Sequence, residues 1–137
     1  MSDARYLLII YQLAGPAGDR VASGRVAAEL GRSPSTATEK LQRLGDRGLV
    51  DYQPYEGVRL TDEGRRQAAE LHESYLVLRR FFGEVLELDD PEAEALELAG
   101  SVSPVVTDRL ATTVLGVETA QLHQGSTAAH SEERSDG

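Results

Sequence analysis

Ser33, Ser35, Thr36, Thr38, Glu39, Lys40, Gln42 and Arg43 crowd hydroxyls, a carboxylate, an amide and two cations into about three helical turns. No nucleophile stands beside a base in this stretch. The set is instead a graded series of hydrogen-bond donors and acceptors. Hydroxyls and amides match the edges of base pairs, and lysine and arginine meet phosphate oxygens. Further along, Tyr55 and Arg59 add a phenol and a guanidinium, groups that also reach phosphates. The pattern implies contact with double-stranded DNA.

Presenting these groups on one face requires a helix, and the local sequence supplies one. Ser33 before Pro34 makes an N-cap followed by a first-turn proline, and Ala37, Leu41 and Leu44 repeat at helical spacing. A helix is expected from Pro34 to about Arg47. Upstream, Ser23 is expected to cap a shorter helix carrying Val26, Ala27 and Leu30, with Gly31 as its left-handed C-terminal residue. The short gap between them is that of a helix-turn-helix. After Gly48 the period changes. Leu49, Val50 and Tyr52 read as a strand, Pro54 to Gly57 as a turn and Val58 to Leu60 as the return strand, a hairpin wing closed by Thr61 as the next cap. Leu30, Leu41, Leu44 and Leu49 are core in any version of this fold, and winged helices also dock proteins, so a protein-interaction module is the competing reading. The polar face of the second helix favours DNA.

Composition narrows the classes. The chain has 137 residues and no cysteine, which excludes disulfides, thiolate metal sites and cysteine nucleophiles. Two of the three histidines, His123 and His130, fall in or near the C-terminal tail, and no phosphate-loop or nucleophile-base spacing occurs, so an enzyme is not expected. No apolar run is long enough to span a membrane, and the apolar patch Leu7–Tyr11 is too short for a signal peptide, so a cytoplasmic protein is expected. The net charge of −9 divides unevenly. Residues 1–66 carry ten Lys+Arg against nine Asp+Glu, net +1, whereas 67–137 carry four against fourteen, net −10. The acid therefore lies away from the DNA-facing half. Thirteen arginines against one lysine, with abundant acid, resemble the composition of halophilic archaeal proteins.

The remaining elements are helical. Residues 4–14 place Tyr6, Leu7, Ile10, Tyr11 and Ala14 on one face, expected to pack under the helix-turn-helix. A long helix from Asp62 to about Leu86 carries Ala68, Leu71, Tyr75, Leu78, Phe82 and Val85, a stripe that reads as the start of a dimer interface. Asp90 with Pro91 starts a helix ending near Gly100, and Ser103 with Pro104 starts another, to about Leu115, carrying Val106, Leu110 and Val114. The fold class is mostly α with a small β-hairpin wing. Residues 1–66 form a winged helix-turn-helix DNA-binding domain, 67–118 a helical dimerisation domain, and 119–137 an acidic tail expected to be disordered.

The wording of residues 32–68, RSPSTATEKLQRLGDRGLVDYQPYEGVRLTDEGRRQA, closely resembles the diphtheria-toxin-repressor and manganese-transport-regulator family, and the resemblance extends over about residues 4–115. It implies a homodimeric, metal-responsive transcriptional repressor acting on a pseudo-palindromic operator, with Mn²⁺ or Fe²⁺ as effector. This chain resembles the short two-domain type, since nothing after Leu115 matches the SH3-like domain of some relatives. Within the resemblance Ser33, Ser35, Thr36, Thr38 and Glu39 stand where relatives touch DNA. Glu39 replaces a glutamine found in some members.

The family's metal ligands do not carry over. The acidic pair flanking the first-helix tyrosine is replaced by Arg5 and Leu8. The histidine and acid of the long helix become Tyr75 and Arg79, and the ligands of the following helix become Leu96, Ala99 and Gly100. A substitute site would have to use His72 with Glu73, or Glu94 and Glu97. The expectation is a family member working without metal, with Arg5 or Arg79 as a fixed cation in its place.

Overall fold

The computed structural model describes residues 3–116, so the tail expected to be disordered lies outside the described residues. Two compact units divide between Ala69 and Glu70.

The first unit begins with α1 (Asp3–Ala14), followed by α2 (Ser23–Leu30), α3 (Pro34–Asp46), the strands β1 (Val50–Gln53) and β2 (Gly57–Leu60), and the start of α4 (Asp62–Arg80). Helix α1 is buried at five consecutive positions, Tyr6 to Ile10, and packs on α2 and β2. Its Tyr11 is only half-buried. Helix α2 ends in a Schellman motif: Gly31 adopts φ 65°, and the Arg32 amide donates to the Ala27 carbonyl at 2.9 Å. The expected cap at Ser23 is not formed. Ala22 holds the extended cap position and Ser23 is already helical, one residue too late for its hydroxyl to meet the first-turn amides. At α3 the expectation holds: the Ser33 hydroxyl accepts from the Thr36 amide at 3.2 Å, and Pro34 fills the first turn. A second Schellman turn at Gly48, φ 78°, closes α3 with the Leu49 amide on the Leu44 carbonyl.

The wing is an antiparallel hairpin in the register Val50–Leu60, Asp51–Arg59, Tyr52–Val58 and Gln53–Gly57. Val21 extends it by exchanging two 2.8 Å hydrogen bonds with Val58. Gly57, at φ 110°, lies so close to the Val21 carbonyl that a Cβ would collide with it. Thr61 accepts from the Gly64 amide and donates to the Gly48 carbonyl, fixing the start of α4 against the end of α3. Beneath α3, Ala37, Leu41 and Leu44 are fully buried with Val26 and Val58.

The second unit contains the remainder of α4, widened into a π-helical turn over Phe81–Val85, then α5 (Pro91–Leu98), a short 3₁₀ turn over Ala99–Ser101, and α6 (Pro104–Arg109) with a π-helical end over Leu110–Leu115. Asp90 and Ser103 cap α5 and α6 as expected, accepting from the amides of Ala93 and Val106. The apolar faces differ from expectation. On α4, Tyr75, Leu78 and Phe82 are buried within the chain and only Val85 stays open. On α6, Val106 and Val114 are exposed, and Thr107 and Ala111 turn inward. The inward face of α6 is its small-residue face: Thr107 donates to the Pro104 carbonyl at 3.1 Å and its hydroxyl lies 3.5 Å from that of Ser74 on α4. Among the described residues of the second unit, the exposed large apolar side chains are Val85, Leu86, Leu88, Leu98, Val105, Val106 and Val114.

Candidate nucleic-acid interface

Helix α3 separates its faces cleanly. Ser33, Ser35, Thr36, Glu39, Gln42 and Arg43 are exposed and Thr38 is half-buried, opposite the fully buried Ala37, Leu41 and Leu44. Ser33 has a structural duty as the cap, and its hydroxyl also donates to Thr36 Oγ1 at 2.9 Å. Tyr6, Arg32, Thr36, Glu39, Lys40 and Arg43 line a depression of about 100 Å³ at the foot of this face. Lys40 behaves differently from its neighbours. Its Nζ donates to Asp3 Oδ1 at 2.8 Å and lies 6.0 Å from the centre of the Tyr6 ring, so the side chain leans back onto α1. Arg47 pairs with the other oxygen of the same carboxylate.

The wing is held by a second cluster. Arg20 donates to the carbonyls of Asp51 and Gly57, each at 3.1 Å, and to the Asp51 carboxylate at 2.9 Å. Gln53 donates to the other Asp51 oxygen at 3.0 Å, and Arg59 stands 3.9 Å from the oxygen that Arg20 holds. The Gln53 hydrogen bond, then the Arg20 hydrogen bond and the charges of Arg20 and Arg59, hold the Asp51 carboxyl below the usual aspartate range. At the tip, the Glu56 amide donates to the Gln53 carbonyl with Pro54 second and Tyr55 third, a type II turn. Tyr55 adopts φ 72°, where glycine or asparagine is favoured, and its ring is fully exposed. Arg59 projects half-exposed from the same hairpin.

Sequence reasoning missed Asp3, Arg20, Arg32 and Arg47 as contributors. The roles of Asp3, Arg20 and Arg47 depend on contacts across more than thirty residues, 37 for Asp3–Lys40 and 31 for Arg20–Asp51, for which no local pattern exists. Only the placement of Arg32 in the turn between the two helices gave a local signal.

The side chains at the positions where the resemblance places metal ligands do not fit a divalent cation. Arg5 and Arg79 are cationic, Leu8, Leu96 and Ala99 apolar, and Gly100 has no side chain. Tyr75 is buried with the Arg79 guanidinium 5.4 Å from its ring centre, a cation–π contact. Of the substitutes, His72 stacks on Tyr75 at 6.1 Å, while Glu94 and Glu97 lie on the exposed side of α5. His72 and Glu73 are adjacent on a helix and do not face each other. Among the described residues, no group of three or more histidine, aspartate or glutamate side chains gathers closely enough to hold a metal ion.

A helix-turn-helix with an exposed polar reading face and a braced hairpin beside it defines a winged-helix DNA-binding regulator of transcription. Residues 2–58 match the family model described as iron dependent repressor, N-terminal DNA binding domain. An uncharacterised HTH-type transcriptional regulator of Methanocaldococcus jannaschii is 30% identical over 107 residues, covering 77% of this chain and 86% of that protein. The chain belongs to this family, that of the diphtheria toxin repressor and MntR, whose members are transcriptional regulators and not enzymes. The transcriptional regulator MntR of Escherichia coli is 36% identical over 75 residues, 53% of this chain and 48% of MntR. A solved manganese-dependent transcriptional repressor in complex with manganese superposes with a TM-score of 0.71 and 31% identity over 82% of this chain and 53% of that one. The chain thus spans about half the length of these last two. Among the described residues no helix is long and apolar enough to cross a membrane.

Proposed function

We propose that this regulator is a cytoplasmic repressor that binds a pseudo-palindromic operator as a homodimer, α3 of each protomer reading one half-site, and that it does so without the metal dependence of its manganese-regulated relatives. The observation that carries the reading is the two-faced α3. Ser35, Thr36, Glu39, Gln42 and Arg43 stand open to solvent over a closed apolar base, with Tyr55 and Arg59 on the wing beside them. Glutamine and arginine offer bidentate contacts to adenine and guanine, and the hydroxyls reach bases or phosphates. The case for pairing of protomers rests on the apolar residues left open in the second unit, where Val105 is 71% exposed and Leu86, Val106 and Val114 nearly half. Apolar surface of that kind is ordinarily covered by a partner. The case against a metal switch rests on the cationic and apolar side chains at the aligned ligand positions.

Selection from a pool of randomised duplexes tests the reading. The expected outcome is enrichment of two inverted half-sites spaced by about one helical turn, near 34 Å. Absence of enrichment contradicts it and favours a winged-helix module that docks on the transcription machinery. A response of DNA binding to Mn²⁺ or Fe²⁺ would instead point to substitute ligands such as His72 and Glu73.

A further inference from the structure

The binding half of the chain is nearly neutral, net +1 over residues 1–66, so each cation beside the reading face weighs heavily in its attraction to phosphate. Two of those cations are already engaged. One carboxylate, that of Asp3 in the first turn of α1, holds Lys40 through one oxygen and Arg47 through the other. Lys40 is the more enclosed, its side chain 21% exposed and its Nζ over the Tyr6 ring, while Arg47, at 59%, remains open to solvent on its outer side. Lys40 also lines the depression shared with Arg32, Thr36, Glu39 and Arg43, so its charge lies at the margin of the DNA-facing surface.

We propose that Asp3 is a specificity-determining residue: its carboxylate occupies, within the protein, the place a DNA phosphate would take against Lys40 and Arg47, and so suppresses sequence-independent binding. The proposal rests on the DNA-reading function proposed above. A carboxylate and a phosphate oxygen are interchangeable partners for ammonium and guanidinium groups, so a duplex that engages Lys40 or Arg47 must first displace Asp3. That exchange releases fewer counterions than capture of a phosphate by a free cation. Non-specific affinity is set almost wholly by such release. Operator affinity also draws on base contacts from Gln42 and Arg43, which Asp3 does not touch. Asp3 therefore widens the gap between the two.

The test is the salt dependence of binding to a non-operator duplex, measured by fluorescence anisotropy for the full chain, for Asp3→Asn, and for Asp3→Asn combined with Lys40→Met and Arg47→Met. Freeing one to two cations should steepen the slope of log affinity against log salt by about 0.9 to 1.8 and raise affinity at 0.1 M salt by about tenfold or more. The triple variant should return to the wild-type slope. Asp3→Glu, which keeps the charge, should stay near wild type, and Asp3→Ser provides a second neutral variant should asparagine impair folding. A wild-type slope in folded Asp3→Asn overturns the proposal, as does a steep slope that persists in the triple variant. Failure of the wild-type chain to bind any duplex is a separate result. It overturns the DNA-reading function and this inference with it.

Discussion

The two units of this chain relate site to scaffold differently. In the first, the chemistry of the site and the scaffold beneath it agree: the cap at Ser33, the buried Leu41 and Leu44 and the Arg20–Asp51 brace all serve to present α3 and the wing. In the second, the scaffold persists with its caps at Asp90 and Ser103, but the positions aligned with metal ligands hold Tyr75 under Arg79, Leu96, Ala99 and Gly100. A fold is maintained by buried apolar contacts and capped helix ends, whereas a metal site needs a few donor atoms that contribute little else to it. The proposed absence of a metal switch is therefore compatible with an intact fold.

Truncating one apolar residue in each unit should break the comparison most visibly. Leu41→Ala removes fully buried volume beneath the reading face and is expected to cost about 2–5 kcal/mol in urea unfolding. Val114→Ala, at a half-exposed position, should change stability by no more than about 0.5 kcal/mol and act on self-association instead, read by sedimentation. Equal stability losses would contradict the assignment of one residue to the core and the other to the exposed surface.

Charge removal sharpens the same contrast. Arg43→Ala should weaken operator binding by about 1–3 kcal/mol in a gel shift while leaving the melting temperature in place. Arg79→Met should cost about 0.5–1 kcal/mol of stability through the lost contact with Tyr75, and leave manganese without effect on DNA binding. If Arg79→Met instead creates a metal response, the guanidinium is blocking a usable site.

Tyr55 offers a smaller and more pointed test. A non-glycine residue at positive φ costs about 1 kcal/mol, and here it is fully exposed, where packing gives nothing back. Tyr55→Asn should therefore stabilise the wing by about that amount and weaken DNA binding, though less than Arg43→Ala. A variant both more stable and equally good at binding would remove the wing tip from the interface.

Much of this was legible in the sequence because its signals are local. Ser33–Pro34, Asp90–Pro91 and Ser103–Pro104 each announce a helix start within two residues, and Gly31 and Gly48 announce ends. The same rule misled at Ser23, since a capping residue one position too late leaves the same trace in the sequence. Periodicity marked the apolar residues of α4 and α6 but not which face would be covered. Which face is covered is a matter of contacts distant in sequence, such as Ser74 against Thr107, 33 positions apart. For the same reason Lys40 read as one more cation on α3, with nothing nearby to indicate that Asp3 holds it.

The smallest expected effect concerns pH. Because folding lowers the Asp51 carboxyl, its contribution is complete above the ordinary aspartate value of about 3.9 and is lost as pH falls through the lower folded value. Urea midpoints should therefore drop from pH 5 to pH 3 more steeply in wild type than in Asp51→Asn, by a small margin, because the group is solvent-accessible. Parallel profiles would mean that the Arg20–Asp51 brace contributes nothing to the wing.

Binding to the selected operator, titrated side by side in chelator and in excess Mn²⁺, tests the central claim most directly. A reader without the family's switch predicts superimposable curves. A tenfold or greater loss of affinity in chelator, restored by Mn²⁺, would contradict it and return this chain to the metal-governed members of its family.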